Sequence, residues 1–294
     1  MLRLLAFLML PFALAAAAPA AAAPFKSDRI AVDVKGSGPD VVLIPGLSSS
    51  PRVWDTTVAA LPGYRYHLIH VAGFDGLASG ANANGAVVAP VAEEIARYIA
   101  AAHLRKPAIV GHSLGGTLAM MVAARHPELP SRVMVVDMMP FMGAMFAGPN
   151  AKQEQLAAIA EQIRKGISSS TGEARRKQTE QTIAGMVRTE SMRPLAVQHG
   201  LASDPAVSGE AMSELITTDL RPELGKIKVP MTVLWVLPTG APITEAQLTT
   251  FYKMSYANVP QAVLTHVADS AHFIMWDNPA VFRAELKAFL AAKP

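Results

Sequence analysis

Residues 111–115 read Gly-His-Ser-Leu-Gly, a G-x-S-x-G run that follows the apolar Ala108-Ile109-Val110 and opens an Ala-rich amphipathic stretch. On a tight strand-to-helix turn such a serine has its Oγ exposed and the next amide free, and the flanking glycines keep Cβ atoms out of neighbouring backbone. The five-residue pattern also occurs in turns that do no chemistry. The partners of Ser113 therefore decide. A serine hydroxyl is a poor nucleophile at neutral pH and needs an adjacent base, and imidazole is the side chain whose ordinary pKa suits that task. Of the eight histidines, His272 falls on a loop after the last predicted strand. His112 belongs to the serine turn itself. His67 and His70 are three apart on a strand and face opposite sides, which argues against a metal pair, and His103, His126, His199 and His266 read as surface or core residues.

The elements that must carry these residues alternate in type. Val41–Ile44 ends at Pro45-Gly46, Tyr66–Val71 ends at Ala72-Gly73, and Ala108–Val110 runs into the serine turn. All three are short and apolar, as strands buried on both faces are. Val88, Val91, Ile95, Tyr98 and Ile99 recur at spacings of three or four, predicting a helix over 87–102, and 114–125 supplies another. Strands are expected at 133–136, 232–237 and 262–267, with a last helix over 279–292. The pattern predicts an α/β fold, a mostly parallel sheet flanked by helices. Residues 138–226 interrupt it with helix-like segments at 151–165, 173–190, 193–201 and 208–220, the signature of an inserted helical cap. The core is then 24–137 with 227–294. At the entrance of the insertion, Met138, Met139, Met142 and Met145 are four of the 15 methionines, interleaved with Phe141 and Phe146. Methionine adapts to irregular apolar shapes, so Met138, Met139, Phe141 and Met142 are candidates to line an acyl or aromatic pocket. Packing within the cap is the competing reading.

With 51% hydrophobic and 17% charged residues in 294, the chain can bury one large core rather than stay disordered. Its formal charge is +3, and the densest basic run, Arg175-Arg176-Lys177, stands beside Glu173 and Glu180. This balance points to no nucleic-acid partner. The first 23 residues have a basic start at Arg3, an apolar block over 4–14 and an Ala/Pro tract, as a secretory leader does. Cleavage sites of the Ala-x-Ala type occur at 16–18 and 21–23. Loss of the leader would remove Arg3, leaving 25 basic against 23 acidic residues. An uncleaved anchor is the alternative, weakened by Pro11, Pro19 and the modest hydropathy of alanine. With no cysteine in the chain, disulfides and a lipidated Cys anchor are excluded. A periplasmic or secreted location is the expectation.

Several ordered features together resemble the α/β-hydrolase family in its capped form. Beyond Gly-His-Ser-Leu-Gly-Gly they are Leu43-Ile44-Pro45-Gly46-Leu47 with Trp54 further on, Arg125-His126-Pro127-Glu128, and Ala271-His272-Phe273 followed by Asn278-Pro279. The resemblance spans about residues 30–293 and implies a cap between the sixth and seventh strands. It implies Ser113 as nucleophile, His272 as base, and the backbone amides of Leu47 and Leu114 as the oxyanion hole. Pro45 stands where many relatives carry His, and a hole built from main-chain N–H groups does not need that side chain. Most relatives place the acid of the triad after the seventh strand, but 236–242 read Val-Leu-Pro-Thr-Gly-Ala-Pro, with no carboxylate. Some members carry it at the end of the sixth strand, where Asp137 stands here. Glu245 and Asp269 are the weaker alternatives.

The expectation is a serine hydrolase that cleaves a small carboxylic ester through an acyl-enzyme, with no metal or organic cofactor. Amide, thioester or lactone hydrolysis, acyl transfer and perhydrolysis remain open on the same residues. A serine argues against the dehalogenase and epoxide-hydrolase chemistries of the family, which use Asp. The absent carboxylate after the seventh strand leaves a second class open, a non-catalytic binding protein.

Overall fold

The computed structural model describes residues 25–238 and 240–292; the expected leader, 1–23, lies outside them. Seven strands form one sheet: β1 (Ile30–Gly36), β2 (Asp40–Ile44), β3 (Arg65–Val71), β4 (Ala108–His112), β5 (Arg132–Val136), β6 (Met231–Trp235) and β7 (Ala262–His266). Their order is β1-β3-β2-β4-β5-β6-β7, parallel except for β1, which pairs antiparallel with β3 at the edge. The central strands β4 and β5 are buried along their whole length. That matches their unbroken apolar sequences, because helices cover both faces.

The helices of the core are α1 (Asp55–Ala60), α2 (Val88–Ala101) and α3 (Leu114–Arg125) before the insertion. The insertion adds α4 (Ala144–Ala147), α5 (Gln153–Ser169), α6 (Gly172–Met186), α7 (Arg193–Ala202) and α8 (Pro205–Thr217). After it come α9 (Glu245–Ser255), α10 (Ile274–Asp277) and α11 (Pro279–Ala291). The insertion leaves the sheet after β5 and returns at β6, one strand earlier in the described sheet than the ordinals of the family imply. The sequence reading gives no range for the alternating edge strand β1 or for the helices α1, α4, α9 and α10.

One set of core side chains packs between α2, α3, α9 and one sheet face, another between α11, Trp54, Trp276 and the opposite face. A third, smaller set around Leu156, Ala160 and Ile216 belongs to the insertion. The insertion is tied to the core by polar contacts as well. Glu214 on α8 accepts the Val87 and Val88 amides at 2.6 and 2.7 Å, satisfying orphan donors at the start of α2. Burial holds this carboxyl above its usual range while those amides pull it down. Gly73, with φ +95, lets α8 approach so closely that a Cβ there would press on the Val207 side chain. Among the described residues no helix is long and apolar enough to cross a membrane.

Glu214→Ala leaves two helix-terminal donors without an acceptor, and should cost about 1–3 kcal/mol of stability. The urea midpoint of the variant measures this; an unchanged midpoint would mean that water replaces the carboxylate without loss.

Candidate active site

Ser113 sits between β4 and α3 with φ 54 and ψ −122, a conformation that costs a non-glycine residue energy and is held by its surroundings. Its N–H donates to the Val136 carbonyl at 2.9 Å and its carbonyl accepts the Gly116 amide at 2.7 Å. The neighbouring glycines are sterically required. A Cβ on Gly111 would overlap the Gly115 carbonyl, and one on Gly115 would overlap the Ile44 and Pro45 carbonyls. The Pro45–Ser48 turn thus backs directly onto the serine turn, and a Cβ on Gly46 would lie 3.1 Å from the Cβ of Ser113. Leu47 and Leu114 lie on the two turns, and among the described residues neither backbone N–H donates a hydrogen bond.

His272 lies on the loop between β7 and α10, and its Nδ1 donates to Asp137 Oδ2 at 2.6 Å. Asp137 ends β5 with φ 52, and its own N–H donates to the Leu234 carbonyl at 2.7 Å. The other oxygen, Oδ1, accepts the Val236 amide at 3.2 Å and, at 3.4 Å, the Tyr252 hydroxyl from α9. Burial, with the Asp137 charge adding to it, pushes the phenols of Tyr252 and of neighbouring Tyr256 well above their ordinary pKa, so both keep their protons as donors. Tyr256 spends its proton on the Met138 carbonyl at 2.7 Å, fixing the backbone where the insertion begins. Asp137 is thereby held by three donors, the His272 ring, the Val236 amide and the Tyr252 hydroxyl.

The loop carrying His272 is held from three sides. Asp277 accepts the Ala271 amide at 2.9 Å and also the Arg188 and Thr189 amides of the insertion at 3.1 and 2.8 Å. The His112 ring packs 4.6 Å from that of His272 and 4.7 Å from that of Phe273. His112 Nε2 reaches the His272 carbonyl at 3.0 Å. Complete burial pushes the His112 imidazole well below its ordinary pKa, and repulsion from His272 adds to this. The ring is therefore neutral, and since a carbonyl only accepts, its proton is on Nε2. Sequence reasoning missed Asp277; its one signal was its place between the His272 loop and Asn278-Pro279.

Glu245 and Asp269 stand elsewhere. Glu245 reaches His266 Nδ1 at 3.0 Å, and Asp269 accepts no hydrogen bond among the described residues, so neither meets His272. His67 is bonded to Tyr98 and Asp40, His70 to the Phe74 carbonyl. Arg175 reaches inward to the Gly200 carbonyl at 3.0 Å, while Arg176 lies on the exposed face beside Glu173. Among the described residues no three His, Asp or Glu side chains come together as a metal site would need.

A cavity of about 910 Å³ holds Ser113, His272, Asp137 and Leu47 in its wall. Met138, Met139 and Met142 line it, joined by Met145, Met212 and Phe251. Phe141 does not. It turns into the small core of the insertion with Leu156, Ala160 and Ile216, and the Arg221 guanidinium lies 4.5 Å over its ring. The expectation that it lines the pocket is corrected: a planar ring fills the gap between α5 and α8, leaving the flexible methionines to face the cavity.

The sequence profile of the Alpha/beta hydrolase family matches residues 41–285, and the chain belongs to that family. It is an enzyme of hydrolase type. The chain is 28% identical over 218 residues to the pimeloyl-[acyl-carrier protein] methyl ester esterase of Vibrio atlanticus (strain LGP32), 71% of this chain and 80% of that one. Its fold is similar to that of a hydrolase from Pseudomonas aeruginosa PA01, with a TM-score of 0.72 at 18% identity over 90% of this chain and 94% of that one. It is also similar to the enol-lactonase from Burkholderia xenovorans LB400, with a TM-score of 0.70 at 17% identity over 90% and 96%.

One buried histidine makes stability depend on pH. His199 on α7 is 1% exposed, and neither ring nitrogen has a hydrogen-bond partner among the described residues. Burial pushes it down to about 4; Asp75 opposes that shift, and Arg52 and His70 reinforce it. Its folded pKa lies below the unfolded value near 6.5, so the unfolded chain takes up the proton first. The stability this residue contributes is complete above about pH 6.5 and is lost as the pH falls toward 4. His199→Gln should flatten that dependence; equal slopes for wild type and variant, from urea midpoints at several pH values, would contradict it.

Proposed function

We propose that this hydrolase cleaves carboxylic esters through an acyl-enzyme on Ser113. The 2.6 Å hydrogen bond between His272 Nδ1 and Asp137 Oδ2, in the wall of the cavity that also contains Ser113, carries the reading. A carboxylate on Nδ1 leaves Nε2 of the neutral imidazole as the free base for the serine proton. Ser113 Oγ attacks the ester carbonyl as His272 takes its proton, and the carbonyl oxygen becomes an oxyanion. The Leu47 and Leu114 amides receive that charge, fixed in place before it forms. Collapse of the tetrahedral adduct breaks the bond to the alcohol, which leaves with the proton from His272. Water then repeats the sequence against the acyl-enzyme, with His272 again as base, and releases the acid and free Ser113.

The apolar part of the cavity favours an acyl or aromatic group, and its volume lies within the range of small-molecule sites. The name of the Vibrio relative, an ester hydrolase, supports the same bond type. The binding-protein alternative loses its motive, since it rested on a base without a carboxylate. In this reading the leader-like first 23 residues direct the activity to the periplasm.

A fluorophosphonate probe should label the wild type and not Ser113→Ala, as read by mass spectrometry of the modified peptide; absence of labelling in the wild type would sink the reading. On a short p-nitrophenyl ester, Asp137→Asn should lower kcat by about 10⁴, the scale of a triad histidine held in the wrong tautomer. Glu245→Gln should stay within about twofold, because its partner is His266 and truncating an exposed pair costs little. The reverse order of losses would reassign the acid.

A further inference from the structure

We propose that Ser208, on α8 of the insertion, is a positioning residue for the turn that carries the Leu47 amide, and that it acts through Ser48. This rests on the acyl-enzyme reading. Ser48 directly follows Leu47 and has φ 50, a left-handed conformation that a residue with a Cβ adopts only when its surroundings impose it. Its hydroxyl donates to Ser208 Oγ at 2.7 Å. Ser208, 4% exposed, donates its one proton onward to the Asp204 carbonyl at 2.7 Å. A carbonyl can only accept, so the direction of the whole chain is fixed: Ser208 must receive from Ser48.

Asp204 anchors the far end. Its carboxylate accepts the Ala206 and Val207 amides at 2.8 and 3.2 Å and the Ser79 hydroxyl at 2.6 Å, and its N–H donates to the Gly73 carbonyl at 2.7 Å. The bracing therefore runs from the oxyanion turn to the first turn of α8, and from there back to the core at Gly73 and Ser79, in the segment that follows β3. Ser48 and Ser208 both border the cavity, and 160 residues separate them in sequence. The insertion is then more than a roof: a chain with α8 displaced would have the turn, but not the geometry its amide needs. An oxyanion donor works only if it is aimed before the charge develops.

The experiment compares Ser208→Ala, Ser208→Thr, Ser48→Ala and the double Ala variant on a short p-nitrophenyl ester and with a trifluoromethyl ketone, which forms a tetrahedral adduct on the serine. Thermal unfolding checks that each variant is folded. Ser208→Ala should lower kcat about tenfold, less than the 10²–10³ of a donor removed outright, with KM within about twofold. Its affinity for the ketone should fall by the same factor. Ser208→Thr, which keeps the hydroxyl, should restore most of the loss. The double variant should be no worse than Ser48→Ala alone, because the two hydroxyls act in series. Wild-type kcat in Ser208→Ala, losses that multiply in the double variant, or a change confined to KM would each overturn the proposal. Should Ser208→Ala fail to fold, Ser48→Ala and Ser208→Thr decide it, with wild-type values for Ser48→Ala counting against it. A wild type inert to both ester and fluorophosphonate overturns the acyl-enzyme reading as well, whereas an active wild type unaffected by these changes overturns this proposal alone.

Discussion

The hydrogen bond between Asp137 and His272 is the interaction on which the site depends, and it exists because of the order of the sheet. Asp137 ends β5 and His272 follows β7, with only β6 between them. The right-handed crossovers of a parallel sheet bring the carboxyl ends of these strands to one edge, where ligand sites of such folds gather. β6, whose exit carries no acid, still serves the pair: Val236 donates its amide to Asp137 Oδ1.

Around that pair the site is held by close approach and burial. The serine turn and the Pro45–Ser48 turn touch through Gly115, which admits no Cβ, and Gly46, where a Cβ would be tight, so the two candidate oxyanion amides share one close-packed neighbourhood. His112, neutral because it is buried, ties the His272 loop to the serine turn without adding a charge beside the base. Tyr252 and Tyr256 do related work behind Asp137, one donating to its carboxylate and the other fixing Met138 at the start of the insertion. Insertion and core are thus joined at the chemistry itself, through Asp277, Met138 and Ser208, as well as at the periphery through Glu214.

Much of this was legible in the sequence, and what was not has a common cause. Ser113 and the strand-to-helix turn around it are local, so spacing and glycine chemistry reveal them. The alternation of short apolar runs with helical periodicity gives the α/β class for the same reason. Asp137 could be nominated but not paired, because the bond to His272 spans 135 residues and depends on which strands are neighbours. Phe141 and the methionines beside it are indistinguishable by composition, and only the packing of α5 against α8 separates a core ring from a pocket wall. α9 is amphipathic too weakly to announce itself, yet it brings Tyr252 to the triad acid. Ser48 and Ser208 are single serines with no motif, and only the fold makes them partners.

The central claim is that Asp137 fixes the tautomer of His272, and ¹⁵N-histidine NMR of the resting enzyme tests it most directly, with Asp137→Asn as the comparison. The account predicts that the proton of the neutral His272 ring sits on Nδ1 in the wild type and moves to Nε2 when the carboxylate becomes an amide. A wild-type His272 with its proton on Nε2, or a tautomer indifferent to the substitution, would contradict it.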